Sequence, residues 1–381
     1  MQKPVRILQA TVSNDGGGLT GYICNNYRFI DKNRVQFDFI TYENQLDFEQ
    51  EFLDMGAKFF RLPHPTHFLE YTNILKSLKE ENNYTAIHFN MSYANIVPII
   101  AARRAGFKRI IVHSHSTDID EKRSNMRRAK QMAHRVWKQW LPSLATDYWA
   151  CSELAAKWMF PDSLLKGQKV IIAKTAIDSS RYRYNEKVRA EMRKNLGLAD
   201  STICVGHIGR FSYQKNQSFV IDIFNELVKC HSDACLLLIG GKQNGESFFN
   251  EVKEKIAQFN LEKKVKILGV RHDVPQLMQA MDVFILPSRF EGMGNVGIEA
   301  QAAGLPSLFS IVIPKEMEIT QKCYFMDVSL MAKEWAKKIL EVSKDERSDT
   351  WQEFISSGYE ITDEIEKVTN CYELMGYTVD E

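Results

Sequence analysis

No run of about 18 apolar residues occurs in the sequence, so none of its helices is expected to cross a bilayer. Bulk charge of one sign is also missing. Lysine and arginine number 49 against 48 acids, a formal net charge of +1, so no global field draws nucleic acid and any basic surface is local. The seven cysteines (24, 151, 204, 230, 235, 323 and 371) never fall in CxxC spacing, are odd in number and sit mostly in apolar runs. That excludes a zinc-ribbon pattern and a disulfide framework, and fits reduced thiols in a cytosolic protein. No low-complexity segment and no short repeat interrupts the chain. The opening MQKPVRILQATVSNDGGG has an apolar run cut short by Asn and Gly, unlike a signal peptide.

What is present suits a folded protein of enzyme size. With 381 residues, 44% hydrophobic and 25% charged, the chain exceeds one ordinary core and is expected to form two domains of about 150 to 200 residues. Short apolar runs alternate with stretches of helical period, the signature of parallel sheets covered on both faces. Strands are expected at 5–12, 35–42, 58–63, 86–90, 109–114, 147–152 and 169–173. The pattern restarts at 202–209, 235–241, 265–269, 282–287 and 306–310, as a second sheet. Between the two series, the polar and charge-rich 174–201 reads as the hinge. The C-terminal DTWQEFISSGYEITDEIEKVTNCYELMG has helical period and is expected to pack back across the junction.

Ligands of open parallel sheets collect at the carboxyl ends of strands, which directs attention to three loops of the second series. In GHIGRFSYQKN (206–216), Arg210 and Lys215 stand where a strand gives way to a helix, a setting for a diphosphate; the plainer reading is two solvated cations. In PSRFEGMGNVGIEAQAAGLP (287–306), a glycine-rich turn leads into a helix whose first N–H groups face an anion. Glu291 in the turn can accept from a sugar hydroxyl, and Glu299 in the helix can take both hydroxyls of a ribose. Acids are favoured near helix starts in any case, so the two glutamates also have a purely structural reading. In LGVRHDVPQLMQAMDVF (268–284), backbone groups near Val270 can pair with a flat base edge.

Two segments of the first series carry further chemistry. IIVHSHSTDID (110–120) fits a bound metal, a DxD site or one working histidine among bystanders. A metal-dependent hydrolase built on His113, His115, Asp118 and Asp120 would need more ligands at later strand ends, which carry Gly, Arg and Glu instead. SNMRRAKQMAHRVWKQWLP (124–142) has helical period, and with Lys122 and Arg123 before it there are seven cations from 122 to 138 and no acid. Interleaved Met, Val, Trp and Leu make it a basic amphipathic helix able to lie on an anionic membrane through residues 122–141. Its ordinary alternative buries Trp and Met against the sheet. No stacking platform accompanies the charge, which argues against nucleic acid.

The order GRFSYQKN, LLLIGG and LGVRHDVPQLMQAMDVFILPSRFEGMGNVGIEAQAAGLP closely resembles the C-terminal domain of retaining GT-B glycosyltransferases of family 4, bacterial capsule and exopolysaccharide enzymes among them. The pair Glu291 and Glu299 has the E-x7-E spacing of that family, following a G-R-x4-K-N segment. GGGLTGYICNNYRFIDKNRVQFDFIT (16–41) resembles its N-terminal glycine loop and second strand, so the likeness covers nearly the whole chain.

The resemblance implies an α/β, GT-B fold of two Rossmann-like doubly wound domains facing an interdomain cleft. Residues 1–175 would bind the acceptor and 176–361 the nucleotide-sugar donor, with a C-terminal helix at about 362–381 returning to the first domain. It implies transfer, with retention, of a hexose or N-acetylhexosamine from a nucleotide-diphospho-sugar, uridine being the commonest base, to a lipid-linked or glycan acceptor. No metal or other cofactor is implied. Arg210 and Lys215 would hold the diphosphate and Glu299 the ribose. Glu291 and the backbone of Gly292, Met293, Gly294, Asn295 and Val296 would hold the donor sugar. Gly17 and Gly18 would let backbone approach donor phosphate or acceptor. His115 would face the donor sugar, for hydroxyl contact or transition-state support, with His113 interior or on the acceptor side and Asp118 orienting the loop. The enzyme would be cytoplasmic and peripheral on the inner face of the cell membrane; a non-catalytic nucleotide-sugar binder is the nearest alternative. The family's PNGID hinge is replaced by AKTAID, with Lys174 where Asn is common.

Overall fold

The computed structural model describes residues 3–14, 17–242 and 247–377. By contacts the chain divides into two units, Met1–Ile119 with Arg123–Ala176 and Ile361–Glu381, and Asp120–Lys122 with Ile177–Glu360. Gly16 and the last four residues of the expected terminal helix lie outside the described residues.

The first unit is built on seven parallel strands: β1 (Val5–Val12), β2 (Val35–Thr41), β3 (Phe59–Arg61), β4 (Ala86–Met91), β5 (Ile110–Ser114), β6 (Asp147–Ala150) and β7 (Val170–Ile172). Their order is β3-β2-β1-β4-β5-β6-β7. Every residue of β2, β4 and β5 is buried, because crossover helices cover both faces; this is why these strands read as nearly unbroken apolar runs. The helix Ile361–Tyr377 lies on this sheet and buries Ile361, Ile365, Val368, Tyr372 and Met375, one stripe at helical spacing. Its Tyr372 stacks on Trp149 of β6 with ring centroids 5.2 Å apart.

Six parallel strands form the second unit: β8 (Ile203–Ile208), β9 (Ala234–Ile239), β10 (Val265–Gly269), β11 (Val283–Leu286), β12 (Ser307–Ser310) and β13 (Cys323–Met326), in the order β10-β9-β8-β11-β12-β13. The edge strand β13 was not expected from sequence. Its four residues, CYFM, are all apolar, but so short a run at the sheet edge is not by periodicity alone distinguishable as a strand.

The border between the units falls inside 174–201, the segment expected as the hinge. The units divide at Ala176/Ile177, and Glu186–Leu196 is a helix of the second unit. Its charge is structural: Arg189 and Arg193 both pair with Asp282, and Arg193, only 3% exposed, donates to the carbonyls of Ala199, Thr202 and Ala280. A buried guanidinium whose two terminal nitrogens are bonded to carbonyls and to Asp282 leaves the same composition as a solvated linker, so the helix within this stretch was not legible as such.

Candidate active site

In the second sheet, connections run in opposite directions from β8, toward β9 on one side and β11 on the other. The crevice of such a sheet opens at the carboxyl ends of those two central strands. The loops that leave them are 209–216 and 287–294.

After β8 the chain passes Gly209, Arg210 and Lys215 before the helix Gln217–Cys230. The loop is tied down from within. Gln217 donates through Nε2 to the carbonyls of Gly209 (3.3 Å) and Arg210 (2.7 Å), and its Oε1 accepts from the Ser212 N–H. Asn216 adopts the left-handed conformation at φ 58° and donates to Pro287 O, which joins this loop to the end of β11. A Cβ at Gly209 would lie 3.0 Å from the stem of Lys215, so a larger residue there would have to displace that side chain.

After β11, Ser288 and Glu291 precede the helix Asn295–Ala302, whose N-cap is Gly294 at φ 88°. A glycine is required at that angle, and it brings no side chain over the first turn. The two loops meet in one ion pair: Lys215 Nζ lies 2.7 Å from Glu291 Oε1, with side chains 17% and 6% exposed. Glu291 also accepts from Ser288 Oγ at 2.7 Å and from Gln214 Nε2 at 3.0 Å. A buried carboxylate with three donors is fixed in place, and it holds the ammonium at the mouth of the crevice.

Glu299 stands about one and a half turns below the N-cap on the same helix. Burial pushes its carboxyl up to about 7, against the opposing hydrogen bond from Tyr182 and the positive charges of Arg181 and Lys215. Lys215 therefore stands within the field of both glutamates of the E-x7-E pair. Val270, just after β10, is 65% exposed, and its side chain stands beside Gly241. Sequence missed Tyr182, Gln214 and Ser288. Tyr182 lay inside the charge-rich stretch, and the other two are neutral polar residues without a spacing signal.

In the first unit, Gly17 is the N-cap of the helix Gly18–Phe29. That helix carries Tyr22, whose ring centroid is 5.1 Å from those of both His113 and His115. His113, in β5, is fully buried, and both of its ring nitrogens lack a hydrogen-bond partner in the protein. Burial holds it well below the usual histidine range, so it is neutral and interior. His115 follows the strand, is only partly exposed, and is pushed down to about 3 by desolvation. Its Nε2 is 2.8 Å from Asn90 Oδ1.

The aspartates of the same stretch turn elsewhere. Asp118 Oδ1 accepts from Gln131 Nε2 and the Ile119 N–H, which orients the loop, while Asp120 Oδ1 accepts from the Gln214 N–H in the second unit. Among the described residues no group of three His, Cys, Asp or Glu side chains is arranged to hold a metal ion. The four residues weighed as a hydrolase site thus do not converge.

Two doubly wound Rossmann-like units in one chain define the GT-B architecture. The structure aligns with that of Anabaena HepE in complex with UDP and glucose at a TM-score of 0.73 and 20% identity, over 99% of this chain and 98% of that one. In sequence the chain is 27% identical to the EpsF protein of Bacillus subtilis (strain 168), across 97% of this chain and 96% of the relative. It is 25% identical to the UDP-Gal:alpha-D-GlcNAc-diphosphoundecaprenol alpha-1,3-galactosyltransferase of Escherichia coli, across 68% of each. Residues 188–360, most of the second unit, match the family described as glycosyl transferases group 1, and with its full-length relative this marks the chain as a glycosyltransferase.

Proposed function

We propose that this glycosyltransferase moves a hexosyl or N-acetylhexosaminyl group, with retention, from a nucleotide-diphospho-sugar to a lipid-linked or glycan acceptor in capsule or exopolysaccharide synthesis. The observation that carries the reading is the Lys215–Glu291 pair at the switch point of the second sheet, beside the start of the helix Asn295–Ala302. Breaking the bond from sugar to diphosphate builds negative charge on the leaving oxygen. Arg210, Lys215 and the helix N-terminus supply the opposing charge, so the reaction needs no metal ion. Glu291 and the backbone from Gly292 to Val296 hold the sugar, Glu299 the ribose, and backbone near Val270 the base. Gly17 and Gly18 admit the donor phosphate or the acceptor to the backbone of the first unit, and His115 contacts a donor hydroxyl.

Retention follows from front-face attack. The acceptor oxygen bonds to the anomeric carbon as the carbon–oxygen bond to the diphosphate breaks, and the acceptor proton passes to a leaving phosphate oxygen. A uridine nucleotide is favoured because HepE is described in complex with UDP and the E. coli relative is named for UDP-Gal. That relative's name also supplies the precedent for a lipid diphosphate acceptor.

A thermal-shift panel of nucleotide sugars tests the donor, since stabilisation follows occupancy of the folded state. One UDP-sugar is expected to raise Tm above all others, and release of UDP on adding lipid extract separates enzyme from binder. An inverted anomer in the product, read by NMR, contradicts the mechanism.

The membrane reading rests on the helix Ser124–Trp137, in which only His134 is buried. That histidine pins the helix: its Nδ1 accepts from the Ala94 N–H at 2.9 Å and its ring stacks 3.9 Å from that of Trp158. Met126, Met132, Val136 and, just beyond, Trp140 stay exposed, Met132 by 69% and Trp140 by 54%, contrary to the ordinary alternative in which they fill the core. Exposed apolar side chains among cations match an anionic lipid surface, which supports reading the enzyme as peripheral on the inner face of the cell membrane. Co-sedimentation with anionic vesicles at low salt is expected, and replacement of Arg128, Lys130 and Arg135 by Glu should abolish it. No binding by the unaltered chain removes this part of the reading.

A further inference from the structure

The sheet face of the first unit covered by the helix Ile361–Tyr377 carries polar residues where an apolar core is the rule. Gln9 of β1 pairs in register with His88 of β4, and Asn90 of β4 with His113 of β5, so these side chains share one face. They are joined in a single chain of hydrogen bonds. Tyr372 Oη lies 2.7 Å from His88 Nδ1 and accepts from Gln9 Nε2 at 3.2 Å. Gln9 Oε1 accepts from Asn90 Nδ2 at 3.0 Å, and Asn90 Oδ1 lies 2.8 Å from His115 Nε2. Gln9, His88, Asn90 and Tyr372 are all buried.

A carboxamide is a donor at one end and an acceptor at the other, so the chain has a direction. Asn90 spends its NH2 on Gln9 and presents only oxygen to His115, so the Nε2 of His115 must carry the proton. At the far end, Tyr372 already accepts from Gln9 and gives its own proton to His88 Nδ1, leaving His88 protonated on Nε2. We infer that Asn90, Gln9 and Tyr372 are positioning residues that fix the tautomer of His115, so that its Nδ1 meets the substrate as a hydrogen-bond acceptor and selects a hydroxyl that donates. The helix Ile361–Tyr377, remote in sequence, is thereby part of the site's support. The functional half of this inference rests on the reading of His115 as a donor-sugar contact; the tautomer itself does not.

The test is two-bond 1H–15N correlation NMR of the full chain labelled at histidine, at neutral pH, with His115 assigned from His115→Gln. His115 and His88 are both expected as Nε2–H tautomers. In Asn90→Leu the His115 signal should become a mixture and kcat/KM should fall about tenfold, the scale of one lost hydrogen bond. Tyr372→Phe, which removes one oxygen and little packing, should shift the tautomers in the same sense by less. Asn90→Asp, which keeps an acceptor facing the ring, should restore Nε2–H. A wild-type His115 protonated on Nδ1, or a tautomer unchanged in both Asn90→Leu and Tyr372→Phe, overturns the inference. Unchanged turnover in His115→Gln overturns its functional half and the donor reading of His115 together, whereas the spectra report the tautomer independently of turnover.

Discussion

At the ends of β4 and β5 the first unit gathers Asn90, His113 and His115 around Tyr22, all uncharged. At the ends of β8 and β11 the second unit gathers Lys215, Glu291 and Glu299 beside a helix start. Both sheets have a central strand with connections leaving in opposite directions, between β8 and β11 in the second and β1 and β4 in the first; the first cluster lies one strand further out, and topology determines neither chemistry. The residues do that. A charged cluster anchored by an ion pair suits a diphosphate, whose charge it must balance. A neutral cluster of imidazole and amide groups suits hydroxyls, which it reads by direction of hydrogen bonding.

The largest break in this contrast should come from the charged side. Lys215→Ala is expected to lower kcat by about 10² to 10³, the usual loss for one group aimed at developing charge, in a nucleoside-diphosphate release assay. Because it also strips Glu291 of its cation, a thermal melt must accompany it. Glu291→Gln tests the partner, and a smaller loss is expected because Ser288 and Gln214 remain to hold the side chain.

The neutral side should respond differently at its two adjacent histidines. His115→Ala should cost about tenfold in kcat/KM with the fold intact. His113→Ala should lower Tm, by opening a cavity among Tyr22, His88 and Trp149, before it lowers turnover. Loss of activity in His113→Ala with none in His115→Ala reverses the assignment.

Acid distinguishes the units as wholes. In the first, burial lowers His88 and His113 far below the normal range, His134 to about 4 and His115 to about 3; in the second, only His207 is so affected, at about 4. A histidine whose folded value lies below its unfolded 6.5 leaves stability intact above 6.5. As pH falls from there toward 4, the unfolded chain takes protons that the folded chain refuses. Each such histidine then removes about 1.4 kcal/mol per pH unit. Hydrogen exchange is therefore expected to show β4 and β5 losing protection before β8 and β9 between those limits; the opposite order contradicts the account.

The smallest effect concerns Glu299, whose carboxyl is raised to about 7. A ribose contact needs it ionised, so donor affinity should fall a few-fold as pH drops below 7, and Glu299→Gln should flatten that profile. A profile unchanged by the substitution removes Glu299 from the donor site.

The strands were legible in the sequence because burial on both faces writes an apolar run. The limits of β1 and β10 match the observed Val5–Val12 and Val265–Gly269, while β13, at the sheet edge, is an apolar run of only four residues. The cationic loop and the paired glutamates were legible because each is a local spacing at a strand end. That both lie on one edge of one sheet was legible too, but their direct ion pair was not, since Lys215 and Glu291 are 76 positions apart and no periodicity spans that gap. The amide chain was harder still: Gln9 and Tyr372 are 363 positions apart. Its one sequence signal is a buried-strand anomaly, with Gln9 inside VRILQATV and His88 and Asn90 inside AIHFN, polar residues that a core tolerates only when they have partners. The charge of 174–201 concealed a helix for the converse reason, since Arg193 is buried and bonded through its terminal nitrogens to carbonyls and Asp282.

The central claim is that the loops after β8 and β11 form the diphosphate site. Isothermal titration of UDP into the unaltered chain and into Lys215→Ala tests it most directly. Saturable binding that weakens at least tenfold in Lys215→Ala, with Tm retained, is the predicted result. Equal affinity of the two proteins for UDP would contradict the account.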